Sequence, residues 1–114
     1  MTHAFHADDV DVDADRAKEL IEAGEVQLVD VREPYEFEAG RIAGARHVEL
    51  ARLGDQAASL DPARPVVFYC RVGGRSAVAT QAFRASGFDA HNMAGGLLGW
   101  AQSGLPVEGR IAEH

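Results

Sequence analysis

The most reactive side chains of the sequence lie in one short stretch, Pro65–Ser76, which is PVVFYCRVGGRS. Cys70, the only cysteine of the chain, ends an apolar run that is typical of a buried strand. Glycines, arginines and a serine follow it closely, namely Arg71, Gly73, Gly74, Arg75 and Ser76. A thiol reacts as its thiolate, and the pKa of a thiol falls beside cations and at the N-terminus of a helix. The stretch therefore predicts a cysteine nucleophile followed by an anion-binding loop.

The residues after the cysteine have the properties that such a loop needs. Gly73 and Gly74 can adopt positive φ angles, so that successive backbone N–H groups turn toward one anion. Arg71 and Arg75 add positive charge, and the helix predicted to begin near Arg75 adds unpaired N–H groups and its dipole. Ser76 can hold the loop by a hydrogen bond. The alternative is a buried strand cysteine and an ordinary turn, but so many suitable residues within six positions favour a functional loop.

The surrounding sequence predicts alternating helices and strands that would position this loop. Helical segments are predicted at Ala14–Ala23, Pro34–Ala39, Leu50–Leu60, Arg75–Ser86 and Leu97–Ser103. Strands are predicted at Val26–Val31, Arg46–Val48, Val66–Cys70 and Phe88–Met93, with a further short strand at Ala4–His6. Strands that alternate with helices imply crossover connections. The sequence therefore predicts an α/β fold, with a mostly parallel sheet of about five short strands and helices on both faces.

The predicted strands also indicate where the site should lie. Three regions are expected: an acidic lead at residues 1–12, a single domain at 13–108 and a tail at 109–114. Four predicted strands end at Asp30, Val48, Cys70 and Met93. The carboxyl ends of parallel strands share one edge, so the loops after these residues should converge there. Asp30 and Arg32 are expected to form an ion pair that supports the site.

Composition and charge argue against several functional classes. The formal charge of −7, from 11 basic and 18 acidic residues, argues against binding to nucleic acid. Neither an apolar run long enough for a membrane span nor a signal-peptide pattern is present, so a cytoplasmic location is expected. One cysteine cannot form a disulfide within the chain. The N-terminal aspartates lack the pattern of a calcium loop and the histidines are dispersed, so no metal site is predicted.

Four segments, in the right order, resemble motifs of the rhodanese domain, a sulfurtransferase fold. Val66–Ser76 resembles its active-site loop, and Asp30–Phe37 (DVREPYEF) resembles its DVRE-x-x-E-[FY] motif. Gly40–Ala45 (GRIAGA) is similar to its G-H-I-x-G-A segment, although Arg41 stands where the family usually has histidine. Gly95–Trp100 (GGLLGW) is similar to its closing GG-x-x-x-W element. The resemblance extends over nearly the whole chain.

This resemblance implies that Cys70 is a sulfur carrier. Its thiolate would attack the outer sulfur of an anionic donor such as thiosulfate, release sulfite and remain as a persulfide. Cyanide or a cellular thiol would then accept the sulfur. Arg71 and Arg75 would bind the sulfonate of the donor. The N–H groups of residues 71–76, with Val72 among them, would stabilise the persulfide, and neither a metal nor an organic cofactor is implied.

Two other functions remain as alternatives. Related folds include cysteine-dependent phosphatases, whose loop is Cys-x5-Arg, whereas Cys70 and Arg75 form the shorter Cys-x4-Arg. A shorter loop makes a tighter cradle, which suits a sulfur atom better than a tetrahedral phosphate. The second alternative is a non-catalytic rhodanese-like module that binds partners. Such modules often lack the cysteine or the loop residues, and both are present in this chain.

Overall fold

The structure, a computed structural model, describes residues 9–112. The strands are β1 (Asp11–Val12), β2 (Gln27–Asp30), β3 (Gly40–Arg41), β4 (Arg46–His47), β5 (Val66–Tyr69), β6 (Ala90–Met93) and β7 (Glu108–Gly109). The helices are α1 (Ala14–Glu22), α2 (Pro34–Ala39), α3 (Leu53–Gln56), α4 (Gly74–Ala85) and α5 (Gly96–Gln102). The strand predicted at Ala4–His6 lies outside the described residues.

Five of these strands form one parallel sheet in the order β1–β6–β5–β2–β4. The central strand, β5, pairs with β2 through Phe68 opposite Val29, and with β6 through Phe68 opposite Asn92. This arrangement confirms the predicted α/β class and the parallel sheet. Because all five strands run in the same direction, their carboxyl ends lie along one edge of the molecule.

Side chains of β5 alternate between two buried clusters, one on each face of the sheet. Val67 and Tyr69 pack in the cluster that includes residues of α1 and α5. Val66, Phe68 and Cys70 pack in the other cluster, with residues of α3 and α4. Alternation at every second residue is the geometry of a strand buried on both faces. The same alternation fixes the face on which the Cys70 thiol lies, which is the face covered by α4.

The ends of the first two helices follow from local sequence signals. Asp13 caps α1 by accepting a hydrogen bond from the backbone N–H of Arg16, at 2.8 Å. Pro34 opens α2, whose first turn is closed by a reciprocal capping box between Glu33 and Glu36. Within residues 9–112, no helix combines the length and the apolar character that a membrane crossing requires.

The structure corrects one predicted helix and adds three strands. The segment predicted as a helix at Leu50–Leu60 forms only the single turn α3, with 3-10 turns before and after it. Gly54 lies inside this segment and weakens a continuous helix. Leu60 is already extended, which buries its side chain against the sheet. The sequence did not predict β1, β3 or β7, each of which is only two residues long.

Candidate active site

Cys70 follows β5 directly, and the turn after it wraps donors around the sulfur. The Sγ atom accepts hydrogen bonds from the N–H of Gly73 at 3.1 Å and from the N–H of Ser76 at 3.4 Å. The Ser76 hydroxyl lies 3.3 Å from the same sulfur. Gly73 has a φ of +110°, a left-handed conformation that glycine adopts without strain. The turn and the first residues of α4 thus form a cradle around one atom.

The cradle favours the ionised form of Cys70. Burial alone would raise the pKa of the Cys70 thiol, but hydrogen bonds from the Ser76 hydroxyl and the N–H groups of Ser76, Gly73 and Val72 outweigh it. The pKa of Cys70 is therefore lower than that of an ordinary thiol. The sequence attributed this effect to the charges of Arg71 and Arg75 and to the unpaired N–H groups at the N-terminus of the helix. In the structure, neutral donors at the start of α4 make the hydrogen bonds to the sulfur.

Asn92 on β6 holds the cradle from the neighbouring strand. Its Oδ1 atom lies 2.6 Å from the Ser76 hydroxyl, and its Nδ2 donates to the carbonyl of Gly73 at 3.3 Å. Nδ2 also donates to Asp11 Oδ1 on β1, at 3.1 Å. Sequence reasoning missed this residue. The available signal was a polar amide in a buried strand that ends beside the site.

Arg75 is held by a carboxylate that the sequence did not single out. Its Nη1 and Nη2 donate to Glu36 Oε1 and Oε2 at 2.6 and 2.9 Å, which is a bidentate pair. The Glu36 side chain is only 4% exposed, whereas that of Arg75 is 38% exposed. The hydrogen bonds from Arg75 lower the pKa of Glu36. The side chain expected to bind a sulfonate thus also joins α2 to α4.

Arg71 and Val72 occupy the outer side of the turn. The Nε atom of half-buried Arg71 donates to the carbonyl of Ala112 at 3.2 Å, in the C-terminal segment. Val72 follows Arg71 in the turn, and its side chain is 56% exposed. Gly74 is exposed and begins α4. The predicted residues 71–76 are therefore all placed around the sulfur or on the rim of its cradle.

The loop after β6 supports the cradle from behind. Leu97 and Leu98 donate their N–H groups to the carbonyls of Cys70 and Arg71, at 2.8 and 3.0 Å. Gly96, with a φ of +60°, lies so close that an added Cβ would be 2.5 Å from the Arg71 carbonyl oxygen. Glycine is therefore required for this approach. The loop between Met93 and α5 therefore lies directly against the turn after Cys70.

Asp30 and Arg32 form the ion pair that the sequence predicted. Arg32 Nη2 lies 2.7 Å from Asp30 Oδ2, and both side chains are fully buried. Nη2 also donates to the carbonyl of Gly40 at 2.6 Å, and the guanidinium lies over the Tyr69 ring. The pair connects the end of β2 to β3 and to the last residue of β5. Its contacts hold the strand end that precedes Cys70.

Arg41 stands where the family usually has histidine, and its side chain contacts α2 and β7. Its Nη1 donates to the carbonyl of Phe37 at 2.8 Å, and its guanidinium lies over the Phe37 ring. Its Nε lies 3.5 Å from Glu108 Oε1 on β7. These contacts connect β3 to α2 and β7.

Comparison with known proteins identifies similar sequences and folds. The family model described as "Rhodanese-like domain" matches residues 13–103. The chain is 42% identical over 90 residues to the HTH-type transcriptional regulator Rv0324 of Mycobacterium tuberculosis, covering 76% of this chain and 39% of that protein. It is 36% identical over 87 residues to the thiosulfate sulfurtransferase GlpE of Pseudomonas aeruginosa, covering 75% of this chain and 78% of that protein.

Comparison with solved structures also finds proteins related to rhodanese. A crystal structure of a rhodanese-related protein from Thermoplasma volcanium matches with a TM-score of 0.80 at 28% identity. The match covers 85% of this chain and 95% of that one. The chain nevertheless spans less than two thirds of the length of several curated relatives that it matches.

Proposed function

The chain belongs to the rhodanese-like domain family, and from this premise we propose that it is a sulfurtransferase in which Cys70 carries sulfane sulfur as a persulfide. The donor is thiosulfate or a related persulfide, and the acceptor is cyanide or a thiol. The observation that carries the proposal is the set of donors around Cys70 Sγ, from Gly73 N–H, Ser76 N–H and the Ser76 hydroxyl. A sulfur held in this way is available as a thiolate.

The proposed reaction has two displacement steps. The Cys70 thiolate attacks the outer sulfur of the donor, so that a new S–S bond forms and the donor's own sulfur–sulfur bond breaks. The leaving group departs with the electron pair, as sulfite when thiosulfate is the donor. A nucleophilic acceptor then attacks the outer sulfur of the Cys70 persulfide, and the Cys70 thiolate is regenerated.

The cradle can stabilise both forms of the cysteine. Thiolate and persulfide carry one negative charge each, and the fixed N–H groups at the start of α4 point at that charge without rearranging. The twelve residues of α4 add the positive end of a helix dipole at the same place. The buried position of Cys70, which is 1% exposed, limits the access of water and of bulky oxidants.

Mass spectrometry of the intact protein tests this proposal directly. Incubation with a sulfur donor should add one sulfur atom to the chain, and cyanide should remove it with formation of thiocyanate. Cys70→Ser is the control, and it should show neither the adduct nor the turnover. Because the chain has a single cysteine, a persulfide adduct needs no further assignment.

Two results would contradict sulfur transfer. Absence of the adduct together with hydrolysis of an aryl phosphate would favour a cysteine-dependent phosphatase. Absence of both activities in a protein with an intact circular dichroism spectrum would favour a non-catalytic binding module.

A further inference from the structure

One aspartate of the acidic lead predicted at residues 1–12 contacts the site. Asp11 lies on the edge strand β1, in register with Asn92 on β6, so both side chains lie on the face of the sheet that α4 covers. The Asp11 carboxylate accepts a hydrogen bond from Asn92 Nδ2 at 3.1 Å. Asp11 is exposed, whereas Asn92 is only 5% exposed. The carboxylate therefore connects an exposed strand to a buried amide beside the cradle.

Three hydrogen bonds define which way the Asn92 amide faces. Nδ2 donates to Asp11 Oδ1 and, at 3.3 Å, to the carbonyl of Gly73. Both partners are acceptors, so the opposite orientation would place the amide oxygen against two other oxygens. The carboxylate is the stronger of the two acceptors because it carries a charge. Asp11 therefore helps to direct Asn92 Oδ1 toward the Ser76 hydroxyl, which lies 2.6 Å away.

The orientation of this amide decides how the Ser76 hydroxyl is shared. With Oδ1 facing the hydroxyl, Asn92 competes for its single hydrogen with Cys70 Sγ, which lies 3.3 Å from the hydroxyl oxygen. In the opposite orientation, Nδ2 would donate to the hydroxyl oxygen and the hydrogen would be left for the sulfur alone. The observed orientation thus gives the hydroxyl an alternative acceptor when Sγ carries no charge.

We propose that Asp11 is a positioning residue for sulfur transfer, which fixes the Asn92 amide as the alternative acceptor for the Ser76 hydroxyl. This inference rests on the proposed function and adds a residue to its machinery. In the persulfide the negative charge lies mainly on the outer sulfur, so the hydroxyl donates to Asn92. When the acceptor's nucleophile bonds to the outer sulfur, the S–S bond breaks and its electron pair remains on Sγ. The hydroxyl then turns to the new thiolate.

The other charged groups around the sulfur come from different elements. Arg71 follows Cys70 in the turn, and Arg75 of α4 is paired with Glu36 of α2. Asp11 faces the cradle from β1, through the Asn92 amide. Substitution of Asp11 leaves the other three charges in place, so a change in the ionisation of the thiol can be assigned to the lost carboxylate.

Asp11→Ala tests the proposal through the pH profile of Cys70 alkylation by iodoacetamide. Without the carboxylate the Asn92 amide can turn, and the Ser76 hydroxyl becomes a dedicated donor to the thiolate. The midpoint of the profile should therefore fall by about 0.3–0.5 pH unit. The acid limb of kcat/KM for sulfur transfer should fall with it, because that limb reports the ionisation of the free enzyme. A general loosening of the cradle would instead raise the midpoint, since fewer donors would reach the sulfur.

Three comparisons distinguish this role from a direct effect of charge on the thiol. Asp11→Asn keeps an oxygen acceptor without the charge, so its midpoint should stay closer to wild type than that of Asp11→Ala. Asp15→Asn removes an exposed negative charge from the first turn of α1 and should keep the wild-type profile. In a Ser76→Ala background, Asp11→Ala should cause no further shift, because the hydroxyl through which it acts is absent. Thermal melting should confirm that every variant is folded.

The proposal is overturned if Asp11→Ala leaves the midpoint unchanged or raises it. It is also overturned if Asp11→Asn shifts the midpoint as far as Asp11→Ala does, or if the shift persists without the Ser76 hydroxyl. Failure of the proposed function is a separate result, because alkylation measures the Cys70 thiolate whether or not a donor adds sulfur to it.

Discussion

A single hydroxyl hydrogen on Ser76 serves two acceptors at the centre of the site. The Ser76 oxygen lies 3.3 Å from Cys70 Sγ and 2.6 Å from Asn92 Oδ1, and it can donate to only one of them at a time. The backbone donors of Gly73 and Ser76 are fixed by the turn. The hydroxyl is therefore the adjustable donor, and a thiolate competes for it better than a thiol does.

Ser76→Ala should raise the pKa of Cys70, because the variant removes the Ser76 hydroxyl, whose hydrogen bond to the sulfur lowers that pKa. At neutral pH the alkylation of Cys70 by iodoacetamide should slow by roughly threefold to tenfold. The measurement is the alkylation rate between pH 5 and 10, whose midpoint should move upward. Ser86→Ala, at the exposed C-terminal end of the same helix, should leave the profile unchanged. A profile identical to wild type in Ser76→Ala would remove the hydroxyl from this role.

At the scale of elements, the pair formed by Glu36 and Arg75 joins α2 to α4. The pKa of Glu36 is lowered, above all by its hydrogen bonds from Arg75. The pair therefore contributes its full stability above the ordinary glutamate pKa of about 4.5, and this contribution is lost as the pH falls through the lower folded value.

Glu36→Gln should reduce the free energy of unfolding at pH 7 by about 1–2 kcal/mol, because it removes a charge-assisted bidentate contact. The difference between variant and wild type should shrink as the pH falls below about 4.5, where wild type loses the same contact. Urea unfolding at several pH values measures this difference in the free energy of unfolding. Glu38→Gln, an exposed residue on the same helix, is the control and should match wild type. A constant difference from pH 7 to pH 3 would contradict the assignment.

The close approach of α5 to the turn depends on one glycine. An added Cβ at Gly96 would meet the backbone of Cys70 and Arg71 at 2.5–2.6 Å, and the positive φ adds strain. Gly96→Ala should therefore lower the free energy of unfolding by more than about 2 kcal/mol. Gly99→Ala, in the same helix with no contact nearer than 3.8 Å, should be neutral or stabilising. Equal thermal melting temperatures for the two variants would refute this account of the turn.

These elements also show what the sequence could and could not predict. The strand, turn and helix around Cys70 were predictable because apolar runs and glycines act locally. The partners of the site were not, because Asn92 is 16 residues from Ser76 and Glu36 is 39 residues from Arg75. Only the parallel sheet brings them together. The helix predicted at Leu50–Leu60 was wrong. Leu53 and Leu60 are buried there by a series of short turns, and their spacing only partly resembles that of a continuous helix.

At the scale of the whole molecule, the C-terminal segment closes the domain. β7 pairs antiparallel with β3, and Arg110 donates its N–H to the carbonyl of Ala39 at 2.8 Å. Ile111 packs against the core cluster shared by α1 and α5. The carbonyl of Ala112 receives the Arg71 hydrogen bond, so this segment also contacts the turn after the nucleophile.

A chain that ends at Val107 should therefore be less stable and should have a less ordered cradle. It keeps the hydrogen bond from Trp100 to Pro106 but loses the β3–β7 pairing and the packing of Ile111. We expect the free energy of unfolding to fall by about 2–3 kcal/mol, from the loss of a partly buried apolar side chain together with several backbone hydrogen bonds.

Glu108→Ala distinguishes the backbone pairing of β7 with β3 from the ion pair between Glu108 and Arg41. The variant removes only the exposed ion pair with Arg41, which is worth less than about 1 kcal/mol, and it leaves the backbone pairing in place. In urea unfolding, the truncated chain should therefore have a clearly lower free energy of unfolding than Glu108→Ala. The free energy of unfolding of Glu108→Ala should be close to that of wild type. Alkylation of Cys70 should change in the truncated chain alone, because only there does Arg71 lose its contact with Ala112. Unchanged alkylation in a destabilised truncated chain would show that the segment stabilises the domain without positioning the turn.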